Sequence, residues 1–139
     1  MTSPDTIPSH LPWEQFERAF PFYVMWDERM RIVKSGSAIQ RVCRDASPGS
    51  TLDRVFTLRR PEGRLEHQWL REHEASLLLL AHPESGLTFR GQAMHLGASG
   101  HGVFLITPWV DSMAQVEEHG LTLGDFAIHD QTLDLLHLV

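Results

Sequence analysis

The hydrophobic period of this sequence changes near its middle, and that change constrains the fold more than any other feature. In the first half, apolar side chains recur at helical spacing in short bursts: Trp13, Phe16 and Phe20, then Ile39, Val42 and Cys43, then Leu52, Val55 and Phe56, then Leu65, Trp69 and His73. From Leu77 onward they run continuously or alternate, over Leu77 to Ala81, Leu87 to Leu96 and Val103 to Ile106. Such runs, broken by His82-Pro83-Glu84-Ser85-Gly86 and by Gly97-Ala98-Ser99-Gly100, read as strands joined by tight turns.

A further strand pair precedes the second helical burst, with Tyr23 to Asp27 and Arg31 to Lys34 facing each other across Glu28-Arg29-Met30. Ser37 with Gln40, and Ser50 with Asp53, have the spacing of capping boxes and place the starts of two short helices. Pro48-Gly49 stops the first, Pro61 and Gly63 stop the second, and a third is expected over Leu65 to Ala75. Two strands, short helices, then three strands make an α+β fold: a five-stranded antiparallel sheet with short helices on one face. PAS domains have this order. The expected division is a flexible tail over residues 1–12, a PAS core over 13–110 and a C-terminal extension over 111–139 that leads to an output helix.

Length and charge narrow the function. A chain of 139 residues is the size of one domain. Its net charge of −6 repels a phosphate backbone, and Arg59-Arg60, closely followed by Glu62, is its only adjacent basic pair, so neither nucleic acid nor an anionic membrane surface is an expected partner. The N-terminus lacks the basic start and apolar run of a secretory signal, and the single Cys43 sits among apolar residues, so a reducing, cytoplasmic setting and a packed thiol are expected.

Several blocks resemble one family. Phe20-Pro21-Phe22-Tyr23-Val24-Met25-Trp26-Asp27 is similar to the opening of the PAS-like domain associated with heme nitric-oxide/oxygen-binding (H-NOX) domains in soluble guanylate cyclases and bacterial sensor histidine kinases. Gly36 with Ile39 and Arg41 resembles the next block, and Val55-Phe56-Thr57-Leu58-Arg59-Arg60-Pro61 its Phe-x-Leu-x-Arg-Pro element. Arg90-Gly91-Gln92 and Phe104-Leu105-Ile106-Thr107-Pro108 resemble two of its strands. Gly120-Leu121-Thr122-Leu123-Gly124-Asp125-Phe126-Ala127-Ile128-His129-Asp130 resembles its most specific signature. Departures are mild: Tyr23 stands where many relatives have His, Ala93 where Met commonly follows the Gln, and Thr107 in place of Ser. The resemblance implies a dimerising relay between a heme NO/O2 sensor domain and a coiled coil leading to a cyclase or histidine kinase output. The chain carries no heptad repeat, nucleotide-binding glycine loop, kinase motif or cyclase motif, so it is expected to be part of a longer protein or a stand-alone homologue.

The residues expected at an interface or in coupling are Trp13, Phe16, Phe20, Phe22, Phe126, His129 and Asp130. Trp13, Phe16 and Phe20 form an apolar stripe that a second copy is expected to cover, making a homodimer. Leu121, Leu123, Phe126 and Ile128 are expected to pack back on the core as an extended strap, with Asp130 capping a helix whose shared face holds Gln131, Leu135 and Leu138. No catalytic, cofactor or metal residues are assigned. Nine histidines invite such a reading, yet no pair has ligand spacing: His67 and His73 fall on different helix faces, and His129-Asp130 lacks a nucleophile. His73 is the one position where a PAS heme ligand would sit, and a half-buried side chain continuing the Leu65-Trp69 stripe is the plainer reading. Trp69, Leu78, Phe89 and Phe104 are expected to fill the space where PAS ligands bind, the alternative being a small-ligand sensor. A third reading is a non-catalytic part of a guanylate cyclase.

Overall fold

The computed structural model describes residues 11–97 and 99–137. The expected tail falls almost wholly outside these residues, as does Leu138. After α1 (Trp13–Ala19), strands β1 (Val24–Trp26) and β2 (Ile32–Ser35) form the opening hairpin. Helices α2 (Ser37–Val42) and α3 (Leu52–Val55), strand β3 (Thr57–Arg60) and helix α4 (His67–Glu72) follow, then β4 (Leu78–His82), β5 (Leu87–His95) and β6 (Gly102–Pro108). The chain continues through α5 (Met113–Glu118), a 3-10 turn over Leu123–Asp125 and α6 (Gln131–His137).

The sheet is antiparallel in the order β2-β1-β6-β5-β4-β3. The five expected strands occupy consecutive places in it, an arrangement consistent with a PAS-like fold. The sixth, β3, was expected as the tail of a helix running to Pro61. Instead α3 ends at Val55, where the buried Phe56 donates its N–H to the Leu52 carbonyl at 2.8 Å. Thr57, Arg59 and Arg60 are exposed and only Leu58 is half-buried. An edge strand this polar has no apolar alternation to betray it.

The expected caps shift by one residue. Gly36 and Thr51, not Ser37 and Ser50, stand before α2 and α3, and neither pair makes a capping box. Gln40 reaches back as expected, but it donates to the Ser35 carbonyl, at 3.0 Å. The β1–β2 turn is set by Asp27, whose Oδ1 accepts the N–H groups of Arg29 and Arg31 at 2.9 and 3.0 Å.

The core lies between the sheet and α2, α3 and α4. Its centre is a chain of aromatic contacts: Trp26 to Phe104 at 4.5 Å, Phe104 to Phe56 at 6.2 Å, Phe56 to Phe89 at 6.1 Å, and Phe89 to Phe22 at 6.4 Å. Ile39, Leu70, Leu78 and Leu80 close around them, all fully buried. Cys43 is buried in the same cluster, and burial, reinforced by Asp45 and Glu84, pushes its thiol up to about 12. It is a packed, unreactive group.

Strand β6 is the spine, pairing with β1 on one side and along its whole length with β5 on the other, from Phe89 opposite Pro108 to His95 opposite Gly102. Gly91 explains itself here: a Cβ at this position would lie 2.0 Å from the Leu105 carbonyl oxygen. The glycine is required by the close approach of β6. Gly91→Ala is expected to cost about 3 kcal/mol, at the upper end for overpacking because the obstacle is backbone; urea denaturation measures it.

Candidate functional site

The C-terminal extension closes on the sheet through residues that the sequence blocks contain. Phe126 is buried and its ring lies 5.3 Å from that of Phe22, extending the aromatic chain of the core into the extension. Leu121, Val116 and Leu136 are buried in the same cluster. The arrangement differs from an extended strap. A helix, a Gly120 turn and a 3-10 turn carry the chain, and Ile128, in a separate turn after the 3-10 turn, is 96% exposed.

Asp125 fixes the 3-10 turn from both sides. Its carboxylate accepts from the Thr122 N–H at 2.8 Å, completing a capping box with the Thr122 hydroxyl, and it pairs with the Arg41 guanidinium of α2. Asp130 does the same for α6. Its Oδ1 accepts the Thr132 N–H at 2.9 Å, the cap that was expected, and its Oδ2 accepts the hydroxyl of Thr107 in β6 at 2.6 Å. One carboxylate therefore starts the final helix and fastens it to the central strand. That helix buries Thr132 and Leu136, whereas Gln131 and Leu135, the expected face, are exposed.

The remaining expected residues cluster at the other end of this seam. His129 is exposed, with its ring 6.4 Å from Phe20. Phe16 and Trp13 pack on Tyr23 at 5.0 and 5.6 Å, and the Lys34 ammonium sits 3.8 Å over the Trp13 ring. The α1 stripe is thus partly covered by its own chain. No α1 residue is buried, and Trp13 remains 43% exposed. Tyr23 donates to Glu17 at 3.1 Å, and burial together with that carboxylate raises its phenol above the ordinary range. Phe22, by contrast, is a core residue and presents no surface.

The sequence profile of the family described as heme NO binding associated matches residues 9–86 and 71–138. The chain belongs to this family. Similar proteins include human guanylate cyclase soluble subunit alpha-2, 28% identical over 131 residues that cover 87% of this chain and 18% of that protein. Rat guanylate cyclase soluble subunit beta-2 is 28% identical over 90% of the chain and 20% of its own length. The soluble guanylate cyclase gcy-32 of Caenorhabditis elegans is 22% identical over 90% and 24%. The chain spans between 18% and 24% of the length of these relatives. In this heme-NO-binding-associated domain, the blocks that resemble the family meet in space: Arg41 with Asp125, Phe22 with Phe126, Thr107 with Asp130.

One histidine grouping, around His82, is not legible in residue spacing because Asp45 lies 37 positions away from it. His82, with its side chain fully buried, lies 2.6 Å from Asp45 Oδ1 through Nε2 and 2.6 Å from Ser85 Oγ through Nδ1. A Glu84 carboxylate oxygen stands within 4.8 Å of the His82 and Asp45 ligand atoms. The Ser85 N–H donates to His82 Nδ1 at 3.2 Å, so that nitrogen is bare and Nε2–H donates to Asp45. Both nitrogens are committed, and the group ties the β4–β5 turn to the α2–α3 loop. His73 stacks on Trp69 at 3.9 Å, with Nδ1 donating to the Trp69 carbonyl at 2.7 Å. Among the described residues, no helix is long and apolar enough to cross a membrane.

Phe126→Ala is expected to cost about 3 kcal/mol, the loss for a buried aromatic ring, in chemical denaturation of the whole chain. Asp130→Ala is expected to cost at least about 1 kcal/mol, the value of a helix cap, and Thr107→Val in the Asp130→Ala background should add little. Additive losses would show that the two side chains act separately.

Proposed function

We propose that this domain is a dimerising relay without catalysis of its own, working in the cytoplasm between a heme NO/O2 sensor domain and a coiled-coil-linked cyclase or histidine kinase output. The observation that carries the reading is the Asp130 carboxylate, which binds Thr107 of the central strand and the first turn of α6 together. A displacement of β6 would therefore be felt at the start of the last helix. Residues 13–110 serve as the core in this reading, and residues 111–139 as the connection towards the output.

The dimer is formed by a second copy of the domain across α1. Trp13 and its neighbours leave apolar surface at the mouth of the same seam, with Leu11 54% exposed beside it. Phe20 touches His129, so an interface on α1 adjoins the segment that leads to α6. Membership in a family with soluble guanylate cyclase subunits supports this reading.

Sedimentation equilibrium tests the association. The chain is expected to dimerise with a dissociation constant of about tens of micromolar, a weak modular contact, and Trp13→Ser with Phe16→Ser to return it to a monomer. A chain that stays monomeric throughout that range contradicts the dimer. In the full-length parent, Phe126→Ala is expected to leave gas binding intact while the output no longer follows sensor occupancy, and normal regulation in that variant contradicts the relay.

A further inference from the structure

His67, the first residue of α4, and His95, the last of β5, bring their rings together with Nδ1 of the former 3.3 Å from Nε2 of the latter. Their outward nitrogens are already committed. His67 Nε2 lies 2.7 Å from the carbonyl oxygen of Glu28, in the β1–β2 turn. A carbonyl only accepts, so this nitrogen carries the ring proton. His95 Nδ1 lies 3.0 Å from Glu74 Oε1, which also accepts the His95 backbone N–H at 2.9 Å. An oxygen that already accepts the backbone N–H is placed as an acceptor for the ring as well, so Nδ1 carries the proton of His95.

Both protons of the neutral rings are thereby spent on the outer side. The two nitrogens that face each other are bare, and two lone pairs at this distance repel unless a cation lies between them. The cation is either a single shared proton or a metal ion. Each ring already has the outer partner of a metal-bound imidazole, a carbonyl for one and a carboxylate for the other. Nitrogens bound at about 2.0–2.1 Å to one tetrahedral ion stand about 3.3 Å apart, the separation found here. His95 is 8% exposed at its side chain and is held edge-to-face against Trp26, so its nitrogen is fixed in place.

We propose that His67 Nδ1 and His95 Nε2 form a binding site for a divalent transition metal of the zinc and copper class, with water completing the coordination. The site joins α4, the β1–β2 turn and the end of β5, so occupancy stabilises the folded chain. It stands independently of the relay reading. The Asp45–His82 group differs in the decisive respect, since its second ring nitrogen already accepts from the Ser85 N–H.

Isothermal titration of the whole chelator-treated chain with zinc chloride at neutral pH tests this. One equivalent is expected to bind, copper more tightly than zinc, and magnesium not at all, as imidazole donors dictate. Zinc should also raise the melting temperature. His67→Ala and His95→Ala should each weaken zinc binding at least about ten-fold, and Glu74→Gln by a smaller factor. His119→Ala should leave it unchanged. Because His95 is packed, His67→Ala at the half-exposed partner is the deciding variant, with its fold checked by circular dichroism. No stoichiometric zinc or copper binding to the wild-type chain, or unchanged zinc affinity in folded His67→Ala, overturns the site.

Discussion

Strand β6 is the element on which the rest depends. It is the longest-paired strand of the sheet after its partner β5, and it alone connects the opening hairpin to the later strands. Its inner face supplies Phe104 and Ile106 to the core, and its Thr107 hydroxyl holds Asp130. A sheet built from local hairpins at both ends needs one long-range pairing to become a single layer, and the β1–β6 ladder provides it. The Gly91 backbone of β5 can approach β6 only because it lacks a Cβ.

From that spine the fold extends outward along one aromatic path. Trp26, Phe104, Phe56, Phe89, Phe22 and Phe126 follow one another in contact, so the extension is continuous with the core rather than appended to it. Apolar contact supplies most of the adhesion, since burying a ring stabilises by about 1.5–3 kcal/mol. The polar links add direction. Arg41 with Asp125 and Thr107 with Asp130 fix where the 3-10 turn and the last helix sit. The Arg41 side chain is 52% exposed, so that ion pair is mainly positional.

Much of this was legible in the sequence, for reasons that differ by element. Strands β4, β5 and β6 announced themselves because their apolar runs end in turn residues, and Asp130 announced a helix start because it precedes a helix-forming run. β3 was hidden, since an exposed edge strand carries no pattern. The Ser37 and Ser50 caps misled by one residue, as backbone conformation decides which residue precedes the first turn. The family signature marked Phe126 and Asp130 as special, while their partners Phe22 and Thr107 could be paired with them only in three dimensions. The histidines show the limit most clearly. Spacing tests pairs on one element, and His67 meets His95 across 28 positions.

Residues 121–133 are expected to fold and unfold with the sheet as one cooperative unit. Native-state hydrogen exchange at increasing denaturant measures this residue by residue. The informative amides are those of Leu121, bonded to Val116, and of Thr132, bonded to Asp130, against Phe104 in the sheet. All three amides are expected to merge into one global isotherm well before the unfolding midpoint. Exchange of Leu121 and Thr132 through a separate opening that never joins the Phe104 isotherm would contradict it.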